Sequence, residues 1–326
     1  MIISRTPLRL TLGGGGTDLP CYYSKFGGFV VSASLDKYVY VIVKRRFEQE
    51  IRVSYSVTEI VDCAEKVEHP VVREALKLLG LNSHLEVISI GDVPARSGLG
   101  SSGSFSVGLL HALHAYKGEN PDRFRLAEEG CHLNMELLRE PSGKQDEYVA
   151  SFGGFLCLEI DRSGRVDVNP LELSPDVVSE LGRSLLFFYT GIRRDASEVL
   201  SSQAAALRGN DGACEAFHRI KEIGRKVKGA LEAGDVEEFG RLQHEHWLAK
   251  RATSPSISTD AIDRWYQIGM ENGALGGKIM GAGGGGFLMF CCSDGRDAVR
   301  KAMARERLRE VQFGFGGEGS KIIINL

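Results

Sequence analysis

The run Leu85-Glu-Val-Ile-Ser-Ile90, followed by Pro94-Ala-Arg-Ser97-Gly98-Leu99-Gly100-Ser101-Ser102-Gly103-Ser104, decides how this 326-residue chain is read. The first part is β-branched and apolar, as a strand requires. Beyond the small residues, Phe105, Leu109, Leu110 and Leu113 recur at helical spacing as far as about Tyr116. A strand, a loop of small residues and a helix, in that order, bring backbone N–H groups to one point. The positive end of the helix dipole favours an anion there. Gly98, Gly100 and Gly103 permit the tight backbone, while Ser101 and Ser102 supply hydroxyls that cap the helix or reach a phosphate or a magnesium ion. The loop also spells Gly-x-Gly-x-x-Gly, but the pattern continues into a second helix, from about Asp122 to Arg139, rather than a second strand. Asp122 therefore begins a helix instead of ending a strand, which argues against a dinucleotide site. Gly276-Gly277-Lys278 is followed by Ile279, so no Walker A loop is present, and no Gly-x-Ser-x-Gly elbow occurs.

Outward from the loop, the first 60 residues are strand-like: Ile2-Ile3, Leu8–Leu12, Phe29–Val31 and Tyr38–Val43, broken by glycine. Phe155–Ile160, Leu185–Tyr189, Phe287–Phe290 and Lys321–Ile324 are further strands. Helices are expected at about 195–208, 211–233, 235–250 and 261–272, the last ending at Gly273. Strands and helices without regular β-α-β alternation give the α+β class. The length suits two domains, expected as 1–180 and 181–326.

Composition excludes several functions. A net charge of -3 offers no basic footprint for nucleic acid. No apolar run is long enough to span a membrane, and no apolar stretch follows Met1–Arg5 as a signal peptide would require. The seven cysteines are scattered, odd in number and free of Cys-x-x-Cys pairs, which fits reduced thiols in a cytoplasmic enzyme. His111 with His114, and His244 with His246, fall short of the ligand number that zinc needs. Trp247 and Trp265 are expected in packing, and Arg45-Arg46 and Arg305–Arg309 on solvated faces.

Three motifs together carry a family resemblance. Pro94-x-x-x-Gly98-Leu-Gly-Ser-Ser102 resembles the central motif of the GHMP kinases (galactokinase, homoserine kinase, mevalonate kinase and phosphomevalonate kinase). Pro7-Leu-Arg9 leading to Gly13-Gly-Gly-Gly16-Thr17-Asp18 resembles their N-terminal motif, and Lys278-Ile-Met-Gly281-Ala-Gly283-Gly284-Gly285-Gly286 their C-terminal one. Arg9 before the glycine run, Gly143-Lys144-Gln145-Asp146 with Phe152-Gly-Gly154, and Tyr189-Thr-Gly191 look like the bacterial heptose 7-phosphate kinases, with fucose kinases sharing much of the pattern. The resemblance implies a ribosomal-S5-like nucleotide-binding domain, a ferredoxin-like second domain, and ATP and a small-molecule sugar in the cleft between them. It implies phosphoryl transfer to the anomeric hydroxyl of a sugar or sugar phosphate, first of all D-glycero-D-manno-heptose 7-phosphate. Fucose, another hexose, or sugar or nucleotide binding without catalysis are the alternatives. Oligomeric state is left open, a homodimer included.

Phosphoryl transfer needs charge neutralisation and in-line positioning. The loop residues Pro94 and Ser97–Ser104 are expected around the triphosphate, with Ser102 facing magnesium by match to the family. Asp146 is expected to accept the sugar hydroxyl proton, or else to cap the helix beside it, and Arg9 to be the cation next to it. Asp18 suits adjacent hydroxyls because a carboxylate accepts two hydrogen bonds, or it caps a turn. Gly15, Gly16, Thr17, Lys144, Gln145, Gly283 and Gly284 complete the substrate side, with Arg193 or its neighbour Arg194 meeting a second phosphate. Many family members carry a magnesium-binding glutamate where this chain has Asn134. At about 100° per residue, Asn134 shares a face with Ala127, Gly130, Cys131 and Leu138, whereas Glu136 points away. An amide there implies weaker metal binding, a different phosphate clamp, or lower activity.

Overall fold

The first 45 positions build two long strands rather than the four short pieces expected. The structure is a computed structural model that describes residues 1–193, 196–209 and 211–326. β1 (Ile2–Gly13) and β2 (Gly28–Arg45) pair antiparallel from Ile2 opposite Val43 to Gly13 opposite Val31. Between them lies α1 (Pro20–Phe26), a short helix with proline in its first turn, stopped by Gly27 at φ 67°. It is too short to show a helical period in sequence.

The same sheet takes in β3 (Ile51–Ser54), β4 (Thr58–Val61), β5 (Leu85–Gly91), β6 (Phe155–Ile160) and β7 (Val166–Pro170). Because β2 is 18 residues long, its first half pairs with β6 and its second half with β5. A second sheet has the order β11-β8-β10-β9, built from β8 (Leu185–Tyr189), β9 (Gly276–Ile279), β10 (Phe287–Cys291) and β11 (Arg309–Glu310). The last strand, β12 (Lys321–Asn325), returns to the first sheet and pairs with β1.

The helices are α2 (Pro70–Leu79), α3 (Ser101–Tyr116), α4 (Arg123–Cys131), α5 (Gln145–Phe152), α6 (Pro175–Ser184), α7 (Ala196–Gly209), α8 (Asp211–Glu232), α9 (Val236–Arg251), α10 (Asp260–Glu271) and α11 (Arg296–Arg305). α3 is buried along nearly its whole length and lies across β1 and β2. α4 runs into a π-helical turn at His132–Leu137. Among the described residues no helix is long and apolar enough to cross a membrane.

The α+β class is as expected, but the domain division is less simple than 1–180 and 181–326. The expected boundary falls inside α6. The chain end then crosses back to cover the edge of β1, and one apolar core, including Leu10, Val31, Ile220, Phe287 and Met289, joins both sheets. The returning segment presses against the end of α5. Gly153 has φ 71°, and a β-carbon there would lie 2.2 Å from the carbonyl carbon of Glu318. Gly153→Ala is expected to cost on the order of 1–3 kcal/mol through strain and displacement of this tail. Thermal denaturation reads it; an unchanged midpoint would show that the tail does not pack there.

Candidate active site

β1 and α5 meet at one ion pair. Arg9 sits mid-strand, 6% exposed, with its side chain aimed at the start of α5. Its Nε donates to Asp146 Oδ1 at 2.7 Å and its Nη2 to Asp146 Oδ2 at 3.1 Å. The third arm, Nη1, donates to the Gly98 carbonyl at 2.7 Å, and the Arg9 amide donates to the Leu99 carbonyl at 3.0 Å. One side chain therefore fixes both the carboxylate and the glycine loop. The fork matches a carboxylate in a way that a lysine would not.

The loop is shaped to lie against this pair. Gly100 precedes α3 at φ 72°; a β-carbon there would approach Arg9 Cγ to 2.9 Å and Asp146 Oδ2 to 3.2 Å. A β-carbon on Gly103 would lie 2.6 Å from Asp146 Cβ. No side chain caps α3, so the leading amides at Ser101–Gly103 are not met by a cap. Ser102 is exposed and Ser101 partly so. An uncapped helix start favours an anion, and here a cation and a carboxylate stand beside it.

The glycines of 281–286 close the loop from the other sheet. Gly281 has φ 68°, and a β-carbon on it would meet Gly98 Cα at 2.6 Å. A β-carbon on Gly286, at φ 85°, would lie 2.3 Å from the Ser97 carbonyl oxygen. Gly283 has φ 118°, and Gly284 donates its amide to the Ile257 carbonyl at 2.8 Å. Thr190 Oγ1 donates to the Gly286 carbonyl at 2.8 Å, tying the Tyr189-Thr-Gly191 turn to the same loop.

Several residues expected at the ligand have hydrogen-bond partners within the fold. Ser104 Oγ donates to the Pro7 and Gly100 carbonyls, inward from the loop. Leu99 and Ser97 are buried, whereas Pro94 is exposed at the loop's outer end. Thr17 Oγ1 donates to the Gly14 and Phe29 carbonyls. Asp18, expected at sugar hydroxyls, is 1% exposed. Its oxygens accept from the amides of Gly16 and Gln145 and from Gln145 Nε2. Burial raises its pKa against the pull of those bonds. It braces the glycine run 13–16, whose Gly15 and Gly16 stay partly exposed, to the start of α5. Gln145 Oε1 accepts from Thr11 and Ser32. Lys144 binds Glu128 at 3.0 Å, on the face of α5 turned from Asp146, where Tyr148 also meets Glu128 beside a cavity of about 1350 Å³. Arg193 is exposed; Arg194 lies outside the described residues.

Asn134 also has a different post. The face assignment holds, since Asn134 is buried and Glu136 is exposed beside His132. Its amide, however, is engaged: Oδ1 accepts from Ser106 at 2.9 Å and Nδ2 donates to Glu147 Oε1 at 2.6 Å. Ser106 lies one helical turn beyond Ser102, so Asn134 stands behind the loop rather than on its open side. Glu147 was not expected at all. It is 1% exposed, and its pKa is pushed up by burial first and by the Asp146 charge second, with the Asn134 bond opposing. Its position next to Asp146 on a helix of alternating roles was the one signal in the sequence.

The comparisons with known proteins fit this arrangement. The description GHMP kinases N terminal domain matches residues 57–154, and GHMP kinases C terminal matches residues 227–310. The chain is 31% identical to the D-glycero-alpha-D-manno-heptose 7-phosphate kinase of Campylobacter jejuni over 98% of both chains. This chain belongs to the GHMP kinases. With heptose 7-phosphate kinase and galactokinase among the relatives it matches, it is a sugar kinase, a phosphotransferase. It is also 25% identical to the L-fucokinase/L-fucose-1-P guanylyltransferase of Bacteroides fragilis, over 92% of this chain and 35% of that one. A crystal structure from Bacteroides thetaiotaomicron, titled as a D-glycero-D-manno-heptose 1-phosphate kinase, superposes with a TM-score of 0.83 at 25% identity over the full length of both chains.

A carboxyl group held neutral by burial adds stability at low pH and loses it as pH rises through its elevated pKa. Glu147→Gln keeps an oxygen for Asn134 and removes the titration. The melting temperature of this GHMP kinase is expected to fall between about pH 4.5 and about pH 8, and to fall less in the variant. Parallel curves would show that Glu147 does not titrate in the fold.

Proposed function

We propose that this sugar kinase transfers the γ-phosphate of ATP to the anomeric hydroxyl of a sugar or sugar phosphate, with D-glycero-D-manno-heptose 7-phosphate as the preferred acceptor. The observation that carries the reading is the Arg9–Asp146 pair held against the uncapped start of α3. The loop amides at 98–103 take the phosphates. Asp146 accepts the proton of the attacking hydroxyl, and Arg9 orients it and offsets negative charge building beside it. The acceptor is supported by the 31% identity with the Campylobacter jejuni enzyme across nearly the whole of both chains.

A magnesium ion carried by the nucleotide would neutralise phosphate charge as the group moves. The exposed Ser102 hydroxyl at the first turn of α3 fits such an ion; Asn134, buried and engaged on both sides, does not. The phosphates themselves would then supply most of the metal's ligands.

Fucose is the second acceptor to consider, because the Bacteroides fragilis relative matches over 92% of this chain. A panel of sugars and sugar phosphates, followed by ADP release and by NMR of the product, separates the readings. Fastest turnover is expected with the heptose 7-phosphate and a new phosphate at the anomeric carbon. Faster turnover of fucose would reverse the order, and no turnover on any acceptor would favour a binding protein. Asp146→Asn should lower turnover by at least about a hundredfold while ATP binding is retained. Turnover within a few fold of wild type would remove Asp146 as the base.

A further inference from the structure

Behind the two glycine loops lies a group of buried cations that the reaction described above does not use. Lys250, 7% exposed, projects from α9, and Lys278, 2% exposed, from β9. Lys250 Nζ donates to the carbonyls of Ile279 at 3.1 Å and Gly281 at 2.5 Å. Lys278 Nζ donates to the Leu12 carbonyl at 3.0 Å, which also accepts from Gln243 Nε2. His246, one turn before Lys250, is 2% exposed. Among the described residues neither amine has a carboxylate partner; each is met by carbonyls alone.

Such an arrangement is unusual because a buried ammonium is costly unless an opposite charge is near. Carbonyl oxygens solvate it but do not neutralise it. The remaining cation in the neighbourhood is Arg9, whose carboxylate partner Asp146 balances only one charge. The carbonyls that Lys250 holds belong to the strand leading into Gly281, and Gly281 is the residue in backbone contact with Gly98 of the phosphate loop.

We propose that Lys250 is a positioning residue for phosphate binding: it fixes Gly281 against the phosphate loop, and the anion bound in the cleft supplies its missing counter-charge. This rests on the nucleotide-binding role assigned to the loop above. In the free protein burial, and then the charge of Arg9, push the Lys250 amine down to about 7. Burial drives Lys278 well down too, with Lys250 and Arg9 adding to it, and His246 is held neutral by burial and the two lysines. The charges that act on Lys250, Lys278 and His246 from the described residues are those of one another and of Arg9, whose own partner is Asp146. Triphosphate arriving on the far side of the glycines favours the charged amine, so binding draws a proton onto the protein. The sign follows: a group whose pKa is higher in the complex than in the free protein strengthens binding at low pH, and that gain fades as pH rises above about 7.

The test is titration calorimetry of ATP with magnesium and no sugar, at about pH 8, in buffers of different ionisation enthalpy. Under these conditions ATP is already ionised. Wild type is expected to take up a fraction of a proton on binding, and to lose affinity between about pH 7.5 and about pH 9. Lys250→Met is expected to fold, since it removes a buried amine that no carboxylate balances. Its affinity for ATP should be lower by about tenfold, with the extra proton uptake gone and a flatter pH profile. A purely structural lysine would move the melting temperature but leave proton uptake alone. Wild type that binds ATP without proton uptake overturns the proposal, whether or not the variant folds. So does Lys250→Met with wild-type affinity and uptake. Wild type that does not bind ATP overturns the nucleotide reading itself, a result distinguishable from either.

Discussion

Everything in the cleft is arranged around the three-armed guanidinium of Arg9. Its position is set by β1, a strand hydrogen-bonded on both edges, to β2 and to β12. The pair it makes with Asp146 is largely withdrawn from water, with side-chain exposures of 7% and 26%. Removing either partner of such a pair strands a desolvated charge, at a cost of about 3–5 kcal/mol where burial is complete and less here. The third arm on the Gly98 carbonyl makes the loop part of the same unit. The Asp146 carboxylate and the glycine loop cannot move independently while that arm is engaged.

The second constraint is that the glycine loops 98–103 and 281–286 must meet as bare backbone. Gly98 against Gly281, Ser97 against Gly286 and Gly103 against Asp146 are contacts in which a single methyl group would overlap existing atoms. This accounts for the glycines clustered at 98–103 and 281–286. A joint made of backbone tolerates little relative movement unless the residues behind it are fixed. Lys250 and Thr190 do this from the second sheet's side, and Ser104 and Arg9 from the first.

The features legible in the sequence were those with a local physical signature. Positive-φ glycines, an unpaired helix start and the Gly-Lys-Gln-Asp146 turn all announce themselves within a few residues. What is not legible locally depends on contacts across the chain. Asp18 looks like a ligand because a carboxylate follows a glycine run, but Gln145, 127 residues away, takes up its oxygens. The domain boundary was blurred because β12 returns to β1, a pairing between the two ends of the chain. Lys250 had a signal that was passed over. It falls on the inward stripe of α9 with Phe239, Gln243, His246 and Trp247, where a lysine has no reason to be unless its charge is used.

Asn134 takes on a different meaning once Glu147 is in view. As an isolated departure from a magnesium-binding glutamate, it suggested a weakened enzyme. In the fold it faces a carboxyl group that is buried, shares a helix with Asp146 and is already pressed toward its neutral form. A glutamate at 134 would set a second carboxyl against the first, inside a space from which water is excluded, and two like charges cannot both persist there. An amide is the side chain of matching length class that can donate to Glu147 and accept from Ser106 at once. The identity at 134 is thus tied to the identity at 147. An acid is present behind the loop: Glu147 stands on the adjoining helix, and the Asn134 amide donates to it.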